Sequence, residues 1–91
     1  MEQAQIYNDI GWIQFRHGNF DEAEKFLIDA LALAVGANRP DVTASIYNRL
    51  GGVAYNLGSW DQAAGFLRKS IAIRESIHDV VGLATSFNNL G

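Results

Sequence analysis

Apolar residues recur at three- and four-residue steps along most of the chain, and each run stops at a glycine or a polar break. In residues 2–17 the recurring positions are Ile6, Tyr7, Ile10, Gly11 and Ile13, which fall on one face of a helix. Gly18 ends that run, as a residue suited to the left-handed conformation that closes helices. Asn19 opens a second helix, with Glu22 three positions on; the pair reads as a capping box, each side chain satisfying the other's free backbone N–H. Asp21, Glu22 and Glu24 place negative charge at the positive end of that helix. Its buried stripe is expected to be Ala23, Phe26, Leu27, Ala30, Leu31 and Ala34. Gly36-Ala37-Asn38-Arg39 is the next break, and Pro40 suits the first turn of a third helix because its missing N–H costs nothing there. That helix runs to about Leu57 and stops at Gly58. Ser59 with Gln62 repeats the capping box, and a fourth helix from Trp60 to about Ile77 turns Ala63, Phe66, Leu67 and Ile71 inward. After the break at His78-Asp79, a fifth helix is expected from Val80 or Val81 onward.

The pattern returns with a fixed period. Ile6-Tyr7-Asn8-Asp9-Ile10-Gly11 comes back as Ile46-Tyr47-Asn48-Arg49-Leu50-Gly51 and again as Ser86-Phe87-Asn88-Asn89-Leu90-Gly91, with the glycines 40 residues apart. Ungapped alignment of 1–40 with 41–80 pairs eleven identical residues: Ala4, Ile6, Tyr7, Asn8, Gly11, Gly18, Asp21, Ala23, Phe26, Leu27 and Ala32 with their counterparts. They fall mostly at core or turn positions. A period in this range marks an array of stacked units. The chain divides into repeat one (1–40), repeat two (41–80) and the first helix of a third repeat (81–91), and reads as a piece of a longer array.

At these positions the sequence resembles the tetratricopeptide repeat. The matching residues are Tyr7, Ile10, Gly11, Gly18, Phe20, Ala23, Phe26 or Leu27, and Ala30; in the second repeat they are Tyr47, Leu50, Gly51, Gly58, Trp60, Ala63, Phe66 or Leu67, and Ser70. Two departures stand out. Gln14 and Ala54 replace the usual large residue, and Val35 and Glu75 occupy the usual closing proline. The 40-residue period is similar to that of kinesin light chains, spindle adaptors and bacterial signalling ATPases. The resemblance implies an all-α, right-handed superhelical stack of antiparallel hairpins, here about five helices. Gly11 and Ala23 would let the helices of a hairpin approach closely, while Tyr7, Phe20 and their equivalents fill the space between hairpins.

Asn8, Trp12 and Phe15 are spaced i, i+4, i+7 and share a helix face. The same stripe reads Asn48, Gly52, Tyr55 in the third helix and contributes Asn88 in the fifth. The resemblance implies that the first helix of each hairpin lines a concave groove, and these positions would face it. Gln5, Arg16, Ser45 and Asn56 complete the groove candidates. Asparagine both donates and accepts, so such a row can pair with an extended peptide's backbone. Gly52 leaves a gap opposite Trp12. Repeats that hold carboxylate tails use several Lys and Arg on these helices, whereas here only Arg16 and Arg49 are offered. The expected function is therefore a non-enzymatic scaffold binding a peptide segment of a partner protein. The alternative is a self-association module, and Val81, Leu83, Phe87 and Leu90 of the fifth helix are candidates for burial against a second copy.

Composition narrows the choice further. The chain has 91 residues, 48% of them hydrophobic and 19% charged, which excludes whole-chain disorder. A net charge of -3 with seven scattered basic residues argues against nucleic acid, since phosphate binding needs clustered cations. No cysteine is present, so there is neither a disulfide framework nor a thiolate metal site, and a cytoplasmic location fits. No apolar run approaches the roughly 20 residues that a bilayer requires. His17 and His78 lie at helix ends in different hairpins, with no Cys available and no His–x3–His spacing. Gly11 and Gly51 sit within helices with no preceding strand, unlike a phosphate loop. No catalytic, cofactor or metal constellation is expected.

Overall fold

Three left-handed residues, Gly18 (φ 81°), Asn38 (φ 54°) and Gly58 (φ 79°), cut the described chain into helices. The computed structural model describes residues 3–77, and its helices are α1 (Gln3–Arg16), α2 (Phe20–Gly36), α3 (Pro40–Asn56) and α4 (Trp60–Ser76). Each left-handed residue is followed by the same backbone closure: Asn19 N–H donates to Gln14 C=O at 2.9 Å, Arg39 to Ala34 at 3.0 Å and Ser59 to Ala54 at 2.8 Å. These bonds satisfy carbonyls that a helix end leaves open. Pro40 sits in the first turn of α3, as its fixed φ favours. The expected fifth helix, with Asn88, Val81, Leu83, Phe87 and Leu90, lies outside the described residues.

The capping boxes do not form. Neither Asn19 nor Ser59 makes a side-chain cap bond. Asn19 instead donates from Nδ2 to Gln14 Oε1 at 2.8 Å, tying it back to the helix just ended. The tight closure at Gly18 draws Asn19 towards α1, and its amide takes the nearer partner. Arg39 does close onto the start of α3, donating from Nε and Nη2 to the Asp41 carboxylate at 3.2 and 3.1 Å. That bond holds the Asp41 carboxyl below its usual range.

Each hairpin closes over a glycine. A Cβ added to Gly11 would lie 2.8 Å from Leu27 Cγ, 2.9 Å from its Cδ2 and 3.3 Å from the Ala23 carbonyl. At Gly51 the same distances recur to Leu67 and Ala63. So α1 packs on α2 and α3 on α4, and α3 then fits against α2 while touching α1 lightly. The shared core is built from Ala23, Leu27, Ala30 and Ala34 of α2 with Val42, Ile46, Leu50 and Val53 of α3.

Three expected packing positions are instead exposed. Ile6 is 37% and Ile13 51% exposed, because they lie outside the inner edge of Ala4, Asn8 and Gly11, on the side of the helix by which α3 instead meets the first hairpin through Ile46 and Val53. Trp60, in register with Phe20, is 69% exposed. Phe20 is half-buried against Phe15 at a centroid distance of 5.6 Å, and Trp60 has no such ring partner among the described residues.

Candidate functional site

The two hairpins superpose at core positions and differ on one face. At the 40-residue register Asn8 matches Asn48 and Gly11 matches Gly51, but Asp9 faces Arg49, Trp12 faces Gly52, Phe15 faces Tyr55 and Arg16 faces Asn56. Most of these differing positions border a single hollow of about 410 Å³. It is lined by Trp12 and Phe15 of α1, Asn48, Gly51, Gly52, Tyr55 and Asn56 of α3, and Leu67 of α4. No charged side chain is among them.

The α1 wall is an aromatic stack. Trp12 and Phe15 are nearly parallel, with centroids 4.9 Å apart and planes 11° from each other. The Arg49 guanidinium lies 5.0 Å from the Trp12 ring centre. The indole is thus held by two neighbours, the Phe15 ring of its own helix and the Arg49 guanidinium of α3. Arg49 is also fastened on its other side. Its Nη1 donates to the Asn8 carbonyl at 3.1 Å and lies 3.5 Å from Asp9 Oδ1. Burial pushes the guanidinium pKa down, while the Asp9 carboxylate opposes that shift. Arg49 is thus a strut joining α3 to α1, where direct helix contact is slight, and its charge is already compensated.

The α3 floor is open because of Gly52. A Cβ there would meet only the Phe15 ring, at 3.8 and 4.0 Å, which is ordinary contact. Gly51 is required by packing and Gly52 is not. A glycine inside a helix is nevertheless unfavourable by roughly 1 kcal/mol relative to alanine. Asn48 and Asn56 stand one turn to either side of it, about 12 Å apart along the axis.

Of the groove candidates, Trp12, Phe15, Asn48, Gly52, Tyr55 and Asn56 line the hollow. The Asn56 amide donates to the Gly52 carbonyl at 2.9 Å, which directs its oxygen away from the helix. Gln5 is exposed and bonded to Asp9 at 3.0 Å, and Ser45 is half-buried outside the hollow. Arg16 borders a separate depression with Ile13 and His17. Asn8 is a correction: it is wholly buried on the inner edge of α1 beside Ala4 and Gly11, so it cannot reach a ligand. Both of its side-chain polar atoms are left without a hydrogen-bond partner. Sequence reasoning named Arg49 only as a cation on the groove helices and did not place Gly51 or Leu67 at the site. The opposite charges of Asp9 and Arg49 at equivalent positions of stacked helices were the signal for the strut.

The four helices of the described residues, paired in two hairpins of one register and stacked through a shared core, define a tandem helical-repeat protein. The family model described as tetratricopeptide repeat matches twice, over residues 3–41 and 43–79. The chain belongs to the tetratricopeptide repeat family, whose modules generally mediate protein–protein interaction. No curated protein matches the chain. No described helix is long and apolar enough to cross a membrane.

Proposed function

We propose that this protein is a non-enzymatic interaction module that holds a peptide segment of a partner protein in the hollow between α1 and α3. The observation that carries this reading is the convergence of Trp12 and Phe15 from one hairpin with Asn48, Gly52, Tyr55 and Asn56 from the next. Aromatic surface supplies apolar area, and the two amides at its rim suit the backbone of an extended chain. A cysteine-free sequence fits a reducing compartment, and cytoplasmic placement is part of the proposal. No cofactor, nucleic acid or lipid surface enters it.

The test is to select short peptides from a display library on the wild type and measure them on Trp12→Ala and Asn48→Ala. Each substitution is expected to weaken binding by about tenfold, the effect of losing one good contact. Because the lining carries no charge, Kd should change by less than about tenfold between low and physiological salt. Steeper salt dependence, or indifference to both substitutions, would overturn the groove.

A second reading, stacking on another copy or another hairpin, is favoured by one comparison. Ile6 and Ile13 are 37% and 51% exposed, whereas their register mates Ile46 and Val53 are 0% and 1% exposed against the first hairpin. If α1 uses this face in self-association, sedimentation should show a concentration-dependent dimer that Ile13→Glu abolishes. A monomer at all concentrations removes this reading. The proposed contact through Val81, Leu83, Phe87 and Leu90 is separable, since Ile13→Glu would leave it intact.

A further inference from the structure

We propose that the hollow over Gly52 seats one uncharged aromatic side chain of the partner peptide, and that Gly52 is the residue that sets this specificity; the inference rests on the groove reading above. The first repeat contains its own template for the arrangement. Trp12 and Phe15 form a parallel ring pair at 4.9 Å. One repeat later the same two positions are Gly52 and Tyr55. The second ring of the pair is kept and the first is missing. Tyr55 is accordingly 67% exposed, against a half-buried Phe15, and has no aromatic partner among the described residues. A ligand ring placed over Gly52 would restore the stack, with Phe15 as its other neighbour, since the Phe15 ring stands 3.8 Å from the Cβ position of Gly52.

The same surroundings discriminate against other anchors. The lining offers no counter-charge for an acidic or basic side chain, and Arg49 is engaged by Asp9 and the Asn8 carbonyl. A methylated ammonium needs the faces of several rings around it, but Trp12 is already engaged by the Phe15 ring and the Arg49 guanidinium. An aliphatic side chain would fill part of the hollow without completing the ring stack that aromatic pairs prefer. Gly52 itself supplies the last argument. It is a helix-interior glycine without the steric need that fixes Gly51, so local stability and local packing both leave it unexplained. Keeping the seat open accounts for it.

The experiment uses the peptides selected on the wild type, each also made with its aromatic residue replaced by leucine, and three proteins: wild type, Gly52→Ala and Gly52→Leu. The peptides should share one Phe, Tyr or Trp. Its replacement should weaken binding to the wild type by about tenfold or more and weaken binding to Gly52→Leu little further. Gly52→Ala should melt above the wild type yet bind less tightly, so that loss of binding cannot be loss of fold. Peptides that need Trp12 but bind Gly52→Leu as well as they bind the wild type would overturn the inference and leave the groove standing. Selected peptides with charged or aliphatic anchors would do the same. Failure to select any peptide would sink the groove itself, and this inference with it.

Discussion

Gly11→Ala destabilises the first hairpin although alanine is the better helix former. The added methyl would lie 2.8 Å from Leu27 Cγ, and Leu27 is fully buried in the shared core, where packing is close. Relief must come from parting α1 and α2, and overpacking of this kind costs ~1–3 kcal/mol after local adjustment. Leu27→Ala alone opens a cavity in the same contact and should cost ~2–5 kcal/mol. The two changes share one space, so they cannot add. In the double variant the new methyl enters the volume the leucine vacated, leaving only its 3.3 Å approach to the Ala23 carbonyl. The double variant should therefore be more stable than the sum of the single losses requires. Urea unfolding of the four proteins measures this directly. Additive losses, or a Gly11→Ala protein as stable as the wild type, would contradict the close approach. Gly51→Ala should behave like Gly11→Ala, because its distances to Leu67 and Ala63 are the same.

The architecture was legible because it rests on local rules repeated in register. Gly18 and Gly58 ended helices as their tolerance of positive φ requires, and Pro40 began one. Of the expected stripes, Ala23, Leu27, Ala30, Ala34, Ala63 and Leu67 are buried, while the larger Phe26, Leu31, Phe66 and Ile71 are half-buried. Spacing put Trp12 with Phe15 on one face of α1 and Gly52 with Tyr55 on one face of α3, and the family resemblance supplied the expectation that both faces border a groove. What was missed depends on how one hairpin sits on the next. Asn8 and Asn48 are the same residue at the same register, and no local rule tells that one is wholly buried and the other borders the hollow. Ile6 and Ile46 differ in the same way, the first exposed and the second buried. The capping boxes failed for a different reason. A sequence motif says which bonds are available, but the closure at Gly18 placed Gln14 within reach of Asn19 first.

Asn8→Leu is expected to stabilise the protein, the reverse of the usual outcome for a buried position. Asn8 is fully buried, and neither its Oδ1 nor its Nδ2 has a partner. An amide taken from water without compensation loses ~1–3 kcal/mol, and leucine has nearly the same shape with no polar atom to desolvate. The bond that matters to the strut is kept, because Arg49 donates to the backbone carbonyl of residue 8 and not to its side chain. The melting midpoint should therefore rise while the Arg49–Asp9 pair and the hollow are unchanged. Asn48→Leu supplies the contrast. Asn48 is half-buried at the hollow and does not lack an interaction partner, so the same substitution should give no such gain and should weaken peptide binding. Thermal and urea melts of both variants, with binding of the selected peptides, separate the two roles. If Asn8→Leu loses stability, the amide at position 8 is satisfied by an enclosed water bridging it to neighbouring backbone. If instead both variants lose stability equally, the complete burial of position 8 is not what makes these two asparagines different.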